Sequence, residues 1–123
     1  MNEAAFLAAF KSRLPPDIFA WKINDRFAAG VPDLYLAATN GKSIWIEFKW
    51  LPKAPAKPFS PRLSKSQNSW LLAHHARGHQ VAVIVGSPNG ATIFFPRVVG
   101  FGRTAPENLG YDPLTKRITG LLQ

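Results

Sequence analysis

The chain contains no cysteine, few acidic residues and no long apolar run. The missing cysteines exclude disulfides and thiolate metal sites, and they leave the redox compartment open. No apolar run approaches the ~18 residues that are needed to span a bilayer. The first residues, MNEAAFLAAFKSR, include Glu3 and lack a basic region before their apolar part, so they do not predict a secretory signal. We therefore expect a cytoplasmic protein without a membrane partner.

Acidic residues are outnumbered by basic ones. Fifteen Lys and Arg face seven Asp and Glu, which gives a net charge of +8 at pH 7. Such an excess favours a polyanionic partner, most commonly nucleic acid, although a basic solvated surface without a partner is the alternative. The 123 residues predict one compact domain that can bury a core without covalent staples.

Apolar periodicity and turn residues predict the element order α-β-β-β-α-β-β. The first helix follows Asn2, a typical N-cap, and ends before Pro15. The second helix begins at Ser64 and stops at Gly78. Asn40-Gly41 is a strong hairpin signal between the second and third strands. The five strands are predicted at 18–23, 33–38, 43–50, 81–86 and 91–95. This order predicts an α/β sandwich, in which helices flank a central mixed sheet.

A proline-rich basic loop, LPKAPAKPFSPR, separates the third strand from the second helix. Its length is typical of binding loops, although a plain connector is the alternative. After Pro96 the pattern fades, so we expect residues 96–123 to form a loop-rich, basic C-terminal extension of the 1–95 core, in which a short element near Leu121 is left open. The candidates for DNA phosphate contacts are Lys53, Lys57, Arg62 and Lys65, with Lys22 and Arg26 as weaker ones.

Two carboxylates, Asp33 and Glu47, lie in segments that otherwise predict buried strand. Because side chains alternate along a strand, Glu47 and Lys49 share one face, and the hairpin brings Asp33 to the same end of the ladder. Two carboxylates about 4 Å apart repel by about 4 kcal/mol at an effective dielectric near 20. A divalent cation removes this conflict. The pattern predicts a metal-assisted site for phosphodiester cleavage, with Lys49 near the phosphate.

Each half of this pattern also has a structural alternative. Asp33 can serve the turn after Pro32. Glu47 can pair with Lys49 or with an arginine of the next strand. Uncompensated buried charge is strongly disfavoured, and this favours the metal site when all three side chains are taken together.

Pro32-Asp33 followed by Glu47-Phe48-Lys49 resembles the signature of the PD-(D/E)xK nucleases. The lead-in Gly30-Val31-Pro32-Asp33 and the helix start Ser64-Lys65-Ser66-Gln67 are most similar to its VRR-NUC branch, which is linked to structure-specific DNA cleavage and includes small phage-borne members. The resemblance covers residues 3–86. It implies a restriction-endonuclease-like fold of order αβββαβ, which agrees with the order predicted above.

The resemblance also implies roles for individual side chains. The metal ligands would hold Mg²⁺, for which Mn²⁺ can substitute, and a lysine and a helix glutamine would complete the catalytic set. By this resemblance the ligands are Asp33, Glu47, the backbone carbonyl of Phe48 and Glu3 from the first helix, while Lys49 is the catalytic lysine and Gln67 the helix glutamine.

Several of these positions have competing explanations. Gln67 would complete a Ser64-x-x-Gln67 capping box, in which its amide reaches back to the Ser64 backbone. Glu3 suits the first turn of a helix through the macrodipole alone. Trp50 precedes the basic loop and is either a core residue or a base-stacking one. The three histidines, His74, His75 and His79, make a poor zinc set without cysteine or a nearby acid.

The sequence therefore predicts a metal-dependent endonuclease that hydrolyses DNA at branched or flapped structures, as Holliday junction resolvases do, in a bacterial or phage-infected cell. A basic loop suits recognition of backbone shape, since no helix has the pattern of a major-groove reader. Cutting two strands of a junction would require two sites, which a homodimer supplies. A non-catalytic nucleic-acid-binding module and a partner-dependent nuclease subunit are the alternatives.

Overall fold

The computed structural model describes residues 1–25 and 27–123. Its elements in chain order are α1 (Glu3–Lys11), β1 (Phe19–Lys22), β2 (Leu34–Ala37), β3 (Ser43–Trp50), α2 (Lys65–Ala76), β4 (Gln80–Ser87), β5 (Gly90–Phe94) and α3 (Tyr111–Gly120). The predicted order is confirmed up to β5, and β3 has its predicted bounds. The other strands differ by one residue at each end, and α3 is additional. Arg26, a weaker candidate for DNA contact, lies outside the described residues.

The five strands form one mixed sheet in the order β1-β2-β3-β4-β5. Only β3 and β4 are parallel, and the basic loop and α2 make the crossover between them. β2 and β3 form the predicted hairpin, with Leu34 opposite Ile46. At its turn Gly41 has φ +89°, and the side chain of Asn40 accepts a hydrogen bond from the Lys42 N–H at 2.9 Å. The Asn-Gly turn thus sets the register on which the site depends.

The two faces of the sheet carry separate apolar clusters. One face packs against α1 and α3, and the fully buried Ile46 and Phe48 of β3 lie at its centre. The other face packs against α2 through Leu71, which contacts Val83 and its neighbours on β4. Because side chains alternate, Trp45, Glu47 and Lys49 project toward the α2 side.

The C-terminal residues contain a ten-residue helix where the sequence analysis allowed only a short element near Leu121. Leu114, Ile118 and Leu122 are buried in the cluster on the α1 face. Pro113 is tolerated because it lies in the first turn of α3, where backbone N–H groups have no intrahelical acceptor. The loop-rich description therefore holds for 96–110, where only isolated bridges occur, and is wrong for 111–120. Within 1–25 and 27–123, no helix is long and apolar enough to cross a membrane.

Candidate active site

Asp33 directly precedes β2 and lies against β3. Continuing the register one pair beyond Leu34 and Ile46 places Asp33 opposite Glu47. The Asp33 carboxylate then takes the place of a ladder partner, because its Oδ2 accepts a hydrogen bond from the Phe48 N–H at 2.9 Å. The sequence prediction that the hairpin brings Asp33 and Glu47 together is confirmed by this geometry.

Glu47 is a buried carboxylate with one oxygen left free. Its side chain is only 3% exposed. Oε2 accepts a hydrogen bond from Nε2 of Gln67 at 2.8 Å and lies 3.6 Å from Nζ of Lys49. Oε1 is buried and has no hydrogen-bond partner among the described residues. A buried polar atom without a partner is rare in folded proteins, and here it faces the same side as Asp33.

The surroundings of Glu47 favour its protonated form in the absence of a cation. Burial, followed by the charge of Asp33, raises the pKa of Glu47 to about 8, against the lowering effect of Lys49. The cause is the removal of water from a carboxylate whose nearest acidic neighbour has the same charge. A ligand that binds the ionised carboxylate must therefore displace a proton at neutral pH.

The backbone of Phe48 offers a further oxygen at this point. In a strand, the N–H and C=O of one residue point to the same side. The Phe48 N–H points to Asp33, so the Phe48 carbonyl faces the same side. At this level β2 has not yet begun, so no strand pairs with that carbonyl. Lys49, whose side chain is 21% exposed, projects from the Glu47 face toward solvent. Two carboxylates, a carbonyl and an ammonium group thus surround one end of the hairpin.

Gln67 forms the predicted capping box and also contacts Glu47 of the candidate site. Its Oε1 accepts a hydrogen bond from the Ser64 N–H at 3.0 Å, and its own N–H donates to Ser64 Oγ at 3.1 Å, so the capping box is complete. Its Nε2 remains available and donates to Glu47. The cap therefore orients the side-chain amide toward the site, and the two explanations are compatible.

Gly30 explains how the connection before Asp33 meets α2. It has φ +83°, and a Cβ at this position would lie 2.2 Å from the carbonyl oxygen of Ser66. Only glycine allows both the backbone angle and this approach. The Gly30-Val31-Pro32-Asp33 segment therefore rests on the first turn of α2, next to Gln67. The sequence shows a glycine three residues before Asp33, but it does not show that this glycine packs against α2.

The remaining predicted ligand, Glu3, is not brought to this cluster. It is exposed at the start of α1, which packs on the opposite face of the sheet. Among the described residues, no group of three or more His, Cys, Asp and Glu side chains could hold a metal ion. The described acidic part of the site is thus the pair Asp33 and Glu47, and a metal role for Glu3 stays a prediction.

The predicted DNA-contacting cations among the described residues are exposed, and the loop that bears most of them starts and ends at the site. It begins directly after Trp50 and ends at Ser64, the cap that orients Gln67. Phe59 bridges to Thr104, which ties the loop to the C-terminal segment. Lys53, Lys57, Arg62 and Lys65 form no ion pair within the described residues, and Lys22 is likewise exposed at the end of β1.

Trp50 and the histidines lie elsewhere than at the carboxylate pair. Trp50 faces the α1 side, where its ring is 5.6 Å from that of Phe6, so it is a packing residue rather than a base-stacking one. The His74 ring stacks on Trp70 with centroids 3.5 Å apart, and its Nδ1 is 2.9 Å from the Trp70 carbonyl oxygen.

The described donors fit a hard divalent cation. Two carboxylates and a backbone carbonyl are oxygen ligands of the kind that Mg²⁺ and Mn²⁺ prefer. The unpartnered Oε1 of Glu47 also favours a cation here, because a bound cation would give this oxygen a partner and relieve its repulsion from Asp33.

Comparison with solved structures finds chains of similar fold. The fold is similar to that of a Holliday junction resolvase. The similar structure is Hjc from the archaeal hyperthermophile Archaeoglobus fulgidus, with a TM-score of 0.55 over 91% of this chain and 98% of that chain. The two sequences share 16% identity, so the comparison establishes the fold. The predicted restriction-endonuclease-like sandwich is confirmed. No protein-family model matches the chain, and no curated protein matches it either.

Proposed function

We propose that the protein is a divalent-metal-dependent deoxyribonuclease that hydrolyses phosphodiester bonds in branched or flapped DNA. The observation that carries the proposal is the convergence of Asp33, Glu47 and Lys49 at the end of the β2–β3 hairpin, with a buried Glu47 oxygen left free. The fold it shares with a Holliday junction resolvase supports the choice of substrate. Membership of the VRR-NUC branch, a phage origin and a cytoplasmic location are further parts of the proposal.

The site residues divide the work between binding and charge stabilisation. Asp33, Glu47 and the Phe48 carbonyl would hold Mg²⁺, which supplies an activated water and neutralises charge on the phosphate. The Phe48 N–H fixes Asp33, and Gln67 fixes Glu47, so the carboxylates are oriented before substrate arrives. Lys49 donates to the phosphate oxygens as negative charge develops in the transition state. The exposed cations of the basic loop hold the neighbouring phosphates.

The test compares DNA structures and single variants. A labelled four-way junction, a flap and a linear duplex are incubated with Mg²⁺, Mn²⁺ or EDTA. We expect cleavage of the branched substrates with either metal, none in EDTA or with Asp33→Asn, and strongly reduced cleavage with Lys49→Ala. Asp17→Asn and Lys116→Ala, which change exposed charges distant from the site in sequence, are the matched controls and should retain activity.

The outcomes separate the proposal from its alternatives. Unchanged cleavage by Asp33→Asn and Lys49→Ala would refute the assignment of the site. Salt-dependent binding of all three DNAs without cleavage under any metal would identify a non-catalytic binding module. Cleavage that arises only after a cell extract is added, and that still needs Asp33, would identify a partner-dependent subunit.

A further inference from the structure

A row of aromatic side chains crosses the sheet on the face that carries the candidate site. Trp21 of β1 is paired with Tyr35 of β2, and Tyr35 is paired with Trp45 of β3. The rings of Tyr35 and Trp45 are 4.4 Å apart, and Trp70 of α2 meets Trp45 edge-on at 5.2 Å. We call Trp21, Tyr35, Trp45 and Trp70 the aromatic row. Paired residues share a face, and Trp45 alternates with Glu47, so the row and the site face the same side.

The aromatic row is open to solvent at Trp21, while Trp45 and Trp70 also pack against the apolar cluster on this face. Trp21 is 50% exposed on the edge strand β1, and the other three rings are half-buried. α2 covers the sheet mainly above β4, through Leu71, and leaves the β1–β2 half of this face uncovered. Indole surface exposed beside a functional site is typical of a binding surface.

The row lines a groove that continues to the candidate site. Trp21, Trp45 and Trp70 line a cavity of about 420 Å³. A second cavity of about 410 Å³ has Asp33 in its wall, and both cavities are bounded by Val31. The Tyr35–Trp45 pair is two residues along the strands from Asp33 and Glu47, a distance of roughly 7 Å. A ligand that places a phosphate at the carboxylates can therefore place an adjoining group on the rings.

Lysine and aspartate side chains both border the groove, so the attraction for a polyanion comes from the net charge of +8 on the whole chain. Lys22 lines the groove beside Trp21, and Lys49 lies on the site side. Asp25 is the acidic residue of the groove wall, and its Oδ1 is already engaged by the N–H groups of Phe27 and Ala28. A ligand with flat aromatic faces and negative charge matches this combination. Unpaired nucleotides have both properties, whereas a duplex keeps its base faces inside the stack.

We propose that the aromatic row is a stacking subsite for an unpaired nucleobase next to the phosphate held at Asp33 and Glu47. The substrate class is then DNA with unpaired nucleotides at the branch, such as flaps, splayed arms and opened junctions, in preference to fully paired DNA. The position of that phosphate rests on the proposed function, but base stacking itself requires no cleavage.

The experiment measures binding without chemistry. Metal-free protein in EDTA is titrated with a labelled oligothymidylate, with an abasic oligonucleotide of the same length, and with a blunt hairpin duplex. Because the abasic strand keeps the backbone and loses the bases, the ratio of the two single-strand Kd values isolates stacking. We expect wild type to bind the oligothymidylate about five- to twenty-fold more tightly than the abasic strand.

Variants test whether the aromatic row causes this preference. Trp21→Ala should bring the two single-strand Kd values within about twofold of each other and leave the duplex Kd unchanged, since backbone contacts do not involve the ring. Phe95→Ala removes an aromatic side chain, 39% exposed, just beyond the far strand β5, and should retain the wild-type preference. Melting temperatures of both variants establish that they are folded.

Equal binding of the oligothymidylate and abasic strands by wild type would overturn the stacking subsite without any variant. It would also be overturned if Trp21→Ala kept the wild-type ratio. A dimer that buries Trp21 and does not dissociate when oligothymidylate is added, measured by sedimentation, would assign the row to a second copy of the chain. Base-dependent binding without any metal-dependent cleavage would contradict the proposed function alone.

Discussion

The raised pKa of Glu47 predicts how the stability of the metal-free protein depends on pH. The folded protein retains a proton on Glu47 up to pH about 8, whereas the usual value for the unfolded chain is 4.5. A raised pKa in the folded state stabilises the protein fully below pH 4.5, and this stabilisation is lost as pH rises through 8. One proton contributes about 1.36 kcal/mol per pH unit, and the titration is incomplete at both ends of the range, so the free energy of unfolding falls by about 3 to 4 kcal/mol between pH 5 and 8.

Glu47→Gln removes this titration without changing the shape of the side chain. The amide oxygen can still accept from Gln67, and the amide nitrogen can donate to Asp33. We expect the variant to be as stable as wild type near pH 5 and about 3 kcal/mol more stable near pH 8. Urea unfolding in EDTA, followed by tryptophan fluorescence at pH 5.5, 6.5, 7.5 and 8.5, measures the difference.

The control and the metal dependence sharpen this test. Glu3→Gln removes an exposed carboxylate and should follow the wild-type curve. Saturating Mg²⁺ should stabilise wild type most at pH 8, where the proton no longer competes, and should have little effect on Glu47→Gln. A constant difference between Glu47→Gln and wild type across the pH range would refute the reasoning, because it would show that Glu47 is ionised in the metal-free fold.

Three further predictions concern catalysis and packing. Lys49→Ala should lower the cleavage rate of a junction about 10²- to 10³-fold while its Kd in EDTA changes less than threefold, and a parallel loss of binding would contradict a transition-state role. Gly30→Ala should lower the free energy of unfolding by about 3 kcal/mol in urea, because it combines a left-handed backbone with a collision against Ser66, and Gly41→Ala, which meets no neighbour, should cost less. Leu114→Ala should cost about 2–5 kcal/mol, and a loss below 1 kcal/mol would show that α3 is not part of the core.

The hairpin and its register could be predicted from the sequence because local signals decide them. The Asn40-Gly41 turn and the alternation of β3 fix which side chains share a face, and a slip by one residue would expose Ile46 and Phe48. For the same reason Asp33, Glu47 and Lys49 could be placed together before any coordinates. The capping box could also be predicted from the sequence. The hydrogen bond from Gln67 to Glu47 could not, because it depends on how α2 lies over the sheet.

α3 and the position of Glu3 could not be predicted in the same way. α3 begins after Gly110 and contains Pro113, which are loop signals unless tertiary packing buries Leu114 and Ile118. The apolar spacing of four residues in this segment was the available signal. The face on which α1 packs is decided by contacts between Phe6 and β3 that are distant in sequence. Trp50 faces the same side as Phe48 by alternation, which already argued against a place beside Glu47.

The first residue of β2 determines why a polar site can exist inside this sheet. β2 begins at Leu34, opposite Ile46, so the N–H and C=O of Phe48 lack a strand partner on this side. Asp33 satisfies the N–H with its side chain instead of its backbone, and this leaves its carboxylate beside Glu47. In the continued register Phe48 lies opposite Pro32, which has no N–H, so a longer β2 would still leave the Phe48 carbonyl without a donor. The ladder between β2 and β3 is therefore interrupted beside Phe48. The interruption leaves room for the two carboxylates and leaves the Phe48 carbonyl without a partner. The pairing of β3 with β4 holds these groups in place.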